Sequence, residues 1–244
     1  MKYCFATLAV GSPYEEQTVA CYQELAANTE HCDFYIASTN TELKDVGEKI
    51  FVKHINPYSL HDSRGGFSFH LNLKVLALKA TLEKYSGKHY DYIIFADGDW
   101  RMHTGFQEQK ILNMFEAMER DDIDFYFERP ADIGGAKREP NESFFRDKLY
   151  DYDVFDHTKW DTAHCVNEQF LVFRNSWKFK FFVQRWEMFL WYSIANDIRN
   201  YPDGFEIGVS ALESDMKWNY QGAFHGLSDC FSFYTKLGDF HTRF

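Results

Sequence analysis

Residues Tyr90–Met102 read YDYIIFADGDWRM, an apolar run that ends in two carboxylates, Asp97 and Asp99, with only Gly98 between them. Tyr90 to Ala96 has the aromatic and β-branched make-up of a central strand. Two readings of its ending stand side by side. Asp and Gly are ordinary residues at a strand-to-turn exit, or the pair is a metal site at the carboxyl edge of a sheet. Gly98 allows a sharp backbone turn, so that both side chains can share the space outside the sheet. They repel there unless a positive charge lies between them. A hard divalent cation, Mn²⁺ or Mg²⁺, takes oxygen ligands and meets that need, with a diphosphate to complete its shell.

The same pattern occurs twice more, at Asp122-Ile123-Asp124 and at Asp151-Tyr152-Asp153. Both act as internal controls. The first sits in the charged segment ERDDID and the second in a polar Tyr/Asp stretch, so neither closes an apolar run. Strand context, not the tripeptide, carries the information.

Working outward from Tyr90, the preceding segment Phe69–Tyr85 places Leu73, Leu76, Ala77, Ala80 and Lys84 at helical spacing. Near the amino terminus Tyr3–Val10 reads as a buried strand, ending at Gly11-Ser12-Pro13 before a helix over Glu15–Ala27. Further strands are expected at Asp33–Ala37 and Lys49–His54. Alternating strands and helices imply crossover connections and a mostly parallel sheet, in which ligands collect at the carboxyl ends of the strands. Beyond Met102, a helix is expected over Gln107–Glu119 and strands over Asp124–Glu128 and Phe170–Phe173. An amphipathic helix follows, with Phe179, Phe182, Val183, Trp186 and Phe189 on one face. Residues 130–160 read as a long excursion over the ligand face. No repeat or linker divides the chain, so a single domain over residues 1–244 is expected, and the resemblance set out below implies a nucleotide-sugar-binding half (1–102) and an acceptor-binding half (103–244).

The 244 residues are 45% hydrophobic and 26% charged, enough apolar material for one large α/β core. Aromatic content is high at 19%, which points first to core rings and second to a sugar or base platform. A net charge of -11 disfavours nonspecific binding to nucleic acid. The five cysteines are odd in number and lack CxxC spacing, as expected of reduced thiols. The amino terminus has no signal-peptide pattern and no window suits a membrane span, so a cytoplasmic protein is expected.

Residues 71–102, LNLKVLALKATLEKYSGKHYDYIIFADGDWRM, resemble the core of the GT-A glycosyltransferases, in which a helix carrying Lys or Arg precedes a strand ending in an Asp-x-Asp metal motif. FATLAVGSPYEEQTVACYQEL is similar to their first strand and helix. NEQFLVFRNSWKFKFFVQRW resembles the segment that lines the acceptor side, and the closing GDFHTRF resembles the GDF-x-x-H of the galactosyl- and mannosyltransferase branch. The pattern is also similar to glycogenin-like members. The resemblance implies a single Rossmann-like α/β domain with a mostly parallel sheet flanked by helices. It implies transfer of a sugar from a nucleotide-sugar donor, a UDP-sugar first among them, to a hydroxyl acceptor (a glycan, lipid, small molecule or modified base).

The roles that follow are expectations. Asp97 and Asp99 hold the metal, Asp99 the more directly, with Gly98 at the diphosphate. His241 is the remaining ligand and His225, in GAFHG, its competitor. Thr7, Ala9 and Tyr14 hold base and ribose; Arg64 and Lys74 contact phosphate or donor sugar. Glu206, in PDGFEIGVSALESD, is the first candidate for a general base, and Glu168 the candidate if the reaction retains configuration. Two other readings compete: a sugar-nucleotide nucleotidyltransferase, disfavoured by the acidic AVGSPYEE where a Gly-rich basic loop is expected, and a noncatalytic nucleotide-sugar-binding module.

Overall fold

A computed structural model describes residues 1–55, 73–83, 89–97, 100–102, 107–127, 163, 166, 170–195, 203–220 and 231–233. Seven strands make its central sheet: β1 (Tyr3–Leu8), β2 (Cys32–Ser38), β3 (Ile50–His54), β4 (Tyr92–Ala96), β6 (Phe125–Phe127), β7 (Phe170–Arg174) and β8 (Trp218–Tyr220). Their order across the sheet is β3-β2-β1-β4-β7-β6-β8. All pair in parallel except β7, which runs antiparallel to both β4 and β6. Two short strands, β5 (Trp100–Met102) and β9 (Phe231–Phe233), form a separate antiparallel pair.

The period of two along the strands separates two apolar layers. Cys4, Ala6, Ile93, Phe95, Leu171 and Phe173 face one side, where they meet α2 (Lys74–Glu83), α4 (Trp177–Ala195) and α5 (Asp203–Glu213). Tyr3, Phe5, Tyr92, Ile94, Phe170 and Val172 face the other, against α1 (Ser12–Ala27) and α3 (Glu108–Arg120). A sheet covered on both faces needs strands apolar at every position, which is why β1 and β4 are buried throughout. This is the single α/β domain with a mostly parallel sheet expected from the sequence.

The high aromatic content serves this packing. Phe125 and Phe173 are cross-strand partners whose rings stack at 4.7 Å, and Tyr92 stacks on Phe115 of α3 at 4.1 Å. All five residues predicted for one face of α4 (Phe179, Phe182, Val183, Trp186 and Phe189) are buried. Ion pairs join helices over one face: Lys79 of α2 to Glu187 of α4, and Arg185 of α4 to Glu213 of α5.

The topology gathers several chain segments at one edge. β1 and β4 are parallel neighbours, with Ala6 level with Phe95; continuing that register sets Leu8 level with Asp97. β7 begins where β4 ends, Phe170 pairing with Ala96. On the approach to β7, the Val166 N–H donates to the Gly204 carbonyl at 2.9 Å and so tethers the first turn of α5. Gly11, at the start of α1, has φ of 95°, a conformation that favours glycine. Among the described residues no helix is long and apolar enough to cross a membrane.

Burial holds protons on the core phenols and thiols. It pushes Tyr3, Tyr22, Tyr90, Cys4 and Cys32 upward, and Tyr92 up to about 12. The unfolded chain releases these protons near the ordinary values, about 8.5 for Cys and about 10 for Tyr, while the folded chain keeps them. Stability is therefore full below about pH 8.5 and falls as pH rises toward the folded values. Urea unfolding at increasing alkaline pH is expected to show a midpoint that declines together with the appearance of tyrosinate absorbance; a midpoint constant through about pH 10.5 contradicts this assignment.

Candidate active site

Asp97 is the first residue beyond β4, at the carboxyl edge of the sheet. Its neighbour is Lys74, the first residue of α2. The Lys74 Nζ lies 3.2 Å from Oδ1 of Asp97 and 3.3 Å from Oδ2, so both carboxylate oxygens face the ammonium. The lysine side chain is 8% exposed and the aspartate 22%. A buried ammonium is costly without a counter-charge. Here it also stands at the amino end of a helix, the positive end of the helix dipole. The carboxylate beyond β4 supplies a counter-charge there.

Beside this pair, the exits of β1 and β2 are tied to α1. Glu15, in the first turn of α1, is buried and accepts hydrogen bonds from Ser38 Oγ at 2.7 Å and Asn40 Nδ2 at 2.9 Å. The Asn40 N–H in turn donates to Ser38 Oγ at 3.0 Å. This network fixes the amino end of α1 against the end of β2, with Tyr14 half-buried next to it. Neither Glu15 nor its partners were singled out from the sequence, because a hydrogen bond across 23 and 25 positions leaves no local pattern.

The other expected residues fall into three groups. Thr7 and Ala9 are at the end of β1 as foreseen, but both are fully buried, Ala9 among the rings facing α1. Their burial makes them part of the packing at that edge. Glu206 is in α5 and 1% exposed, close in sequence to the Gly204 tether. Arg64, Gly98, Asp99, Glu168, His225 and His241 lie outside the described residues, as do 130–160 and the pair Asp151/Asp153.

The control pair Asp122/Asp124 has a structural task. Asp122 is in a turn with φ of 54° and pairs with Arg174. Asp124 precedes β6 at the opposite, amino edge; it is buried, pairs with Lys178 at 2.9 Å and accepts the Lys217 N–H at 3.0 Å. Only Asp97 of these three stands at a carboxyl edge.

Asp97 offers hard oxygen donors of the kind a divalent cation takes, and both of them are engaged by the Lys74 ammonium. Among the described residues no group of three His, Cys, Asp or Glu side chains could hold a metal ion. Asp99, His225 and His241 belong to the segments outside.

No protein-family model and no curated protein matches the chain. Among solved structures, it is similar to the galactosyltransferase LgtC in complex with donor and acceptor sugar analogs, at 14% identity over 90% of this chain and 73% of that one, with a TM-score of 0.44. An active-site mutant of the same enzyme gives 14% identity, 90% and 72% coverage and a TM-score of 0.47. Mouse xyloside xylosyltransferase 1, in its apo form, gives 11% identity, 94% and 92% coverage and a TM-score of 0.47.

The Lys74–Asp97 pair is expected to be energetically coupled because one partner is buried. A double-mutant cycle with Lys74→Met and Asp97→Asn should return about 1–3 kcal/mol in chemical unfolding. The same cycle on the exposed Lys53–Glu83 pair should return under about 1 kcal/mol. Equal values for both pairs would show that Lys74 is not sequestered.

Proposed function

We propose that this chain is a metal-dependent glycosyltransferase that moves a sugar from a nucleotide-sugar donor, UDP-linked in the first instance, to a hydroxyl group. The observation that carries the reading is the buried Lys74 ammonium held on both oxygens of Asp97 where β4 leaves the sheet next to the end of β1. The acidic motif there follows a fully buried strand, and the first of its two carboxylates is paired with a nearly buried cation.

In this reading Asp97 and Asp99 hold Mn²⁺ or Mg²⁺ with His241, or His225 in its place, and the metal supplies Lewis-acid stabilisation of the diphosphate leaving group. Base and ribose rest at the end of β1 over Thr7, Ala9 and Tyr14, with α1 fixed by Glu15. The amino ends of α1 and α2 favour anionic ligands at this edge. Lys74 and Arg64 are assigned to the diphosphate, together with Gly98.

The bond between the anomeric carbon and the diphosphate oxygen breaks, and that oxygen leaves with the electron pair. A bond forms between the anomeric carbon and the acceptor oxygen. The acceptor's proton passes to a base, Glu206 in an inverting course; in a retaining course Glu168 or the leaving phosphate serves. Preorganised positive charge at the leaving group lowers the barrier because it acts on charge that grows in the transition state. The carboxyl-terminal half, residues 103–244, carries the acceptor side.

Release of nucleoside diphosphate from a panel of sugar nucleotides, with and without Mn²⁺, tests the reading. Metal-stimulated release is expected from at least one donor. Asp99→Ala is expected to abolish it, with a drop of about 100-fold or more, while leaving thermal stability near the parent value; Asp151→Ala is expected to be nearly silent. No metal-stimulated release from any donor contradicts the proposal, and equal losses at Asp99 and Asp151 contradict the choice of metal pair. Glu206→Gln and Glu168→Gln separate the two candidate bases by which of them removes transfer.

A further inference from the structure

Helix α4 is apolar on two opposite sides. One side packs toward the sheet through Phe179, Phe182, Val183 and Trp186, all buried. The other exposes Trp177 (69%), Phe181 (40%), Met188 (47%) and Trp191 (43%). Apart from Met1, these are the only exposed large hydrophobic residues among the described ones. Helix α3, on the far face of the sheet, shows the ordinary alternative: it exposes Gln109, Asn113, Glu116 and Glu119. A helix that is apolar all round belongs in a setting that covers it all round. We infer that the outer stripe of α4 pairs with the same stripe on a second copy of this chain.

Three features select that occupant. The first is spacing. Trp177, Phe181, Gln184, Met188 and Trp191 follow one another at steps of four, three, four and three, the narrow seam that one helix offers to another. The second is symmetry. Gln184 is exposed at the middle of the stripe, seven residues from each tryptophan. An antiparallel crossing about a twofold axis at Gln184 sets its amide against its own mate and brings Trp177 toward Trp191 of the partner subunit. An amide has both donors and an acceptor, so two facing glutamines satisfy each other. A lipid surface leaves that amide without a partner at the centre of the buried face. The third is charge: Lys180 is the one charged residue exposed on α4 among the described residues, and the chain as a whole carries -11, which opposes docking to an anionic bilayer.

The area fits a weak dimer. The four side chains leave on the order of 450 Å² uncovered, more than half of the about 800 Å² that each partner gives to a standard interface. Gln184 and the stem of Lys180 add to it. The Trp191 indole N–H already donates to Oε1 of Glu187 at 3.0 Å, so covering that ring leaves no donor unpaired. A dimer in exchange with the monomer is expected, with a dissociation constant of about 1–100 µM.

Sedimentation velocity on the full chain, from about 1 to 500 µM, tests the pairing. The mass is expected to rise from one copy to two with concentration. Association is expected to strengthen as salt is added, because screening relieves the repulsion between two chains of charge -11. Phe181→Lys and Met188→Lys are each expected to weaken it about tenfold or more, although both reduce the negative charge; Glu116→Lys on α3 should match the parent. Under mild oxidation Gln184→Cys is expected to give a disulfide-linked dimer in excess of the parent, and Glu116→Cys is not. Melting curves check that each variant is folded, and either stripe variant alone reads out the effect. A parent chain that keeps a single-copy mass throughout overturns the pairing; its flotation with phosphatidylcholine vesicles would then give the stripe to a membrane. A dimer that Phe181→Lys and Met188→Lys leave unchanged, or that salt weakens, overturns its placement on α4. A stripe-dependent dimer that Gln184→Cys does not cross-link overturns the twofold axis at Gln184.

Discussion

A strand buried on both faces can place charge only at its ends. The constraint acts on β4, where five consecutive buried residues run between two helical layers and the next residue is Asp97. The parallel pairing of β4 with β1 then brings a second strand exit to the same place, and β7 begins there from the other side. The candidate site is a consequence of this convergence. Its Asp97 carboxylate is paired with Lys74, which α2 delivers to the edge as it begins.

Most of the fold was legible because a doubly covered sheet writes itself as unbroken apolar runs. β1, β2, β3, β4 and β7 were each expected within a residue or two of where they lie, and the face of α4 was read from the spacing of its rings. The antiparallel direction of β7 was not foreseen, since strand direction is set by the connection before it and not by its own residues. β5, β8 and β9, each three residues long, were also missed. So short a strand has no periodicity, and its backbone pairing is decided by what lies beside it. α5 was noted as the segment holding Glu206 and not as a helix; it covers the sheet face through Ile207 and Ala211.

The site was legible in a different way. Strand context singled out Asp97 from Asp122 and Asp124, and the structure gives those two a task in a turn and a buried junction at the far edge. Lys74 was marked by resemblance for a phosphate or a sugar; its contact with Asp97 could not be read from a separation of 23 residues. Glu15 was passed over for the same reason. Its buried hydrogen bonds to Ser38 and Asn40 depend on two strand exits being neighbours, which is known only when the sheet order is. Thr7 and Ala9 lie at the end of β1, and their burial makes them part of its packing.

The measurement that bears most directly on a nucleotide-sugar site at the end of β4 is a crystal structure of the chain with Mn²⁺ and UDP. The expected result is a metal ion bonded to carboxylate oxygen from the Asp97–Asp99 segment, with the diphosphate on that metal, Lys74 turned toward phosphate, and the base at the end of β1. A metal–nucleotide complex bound at another edge of the sheet, with the Lys74–Asp97 pair unchanged, would contradict it.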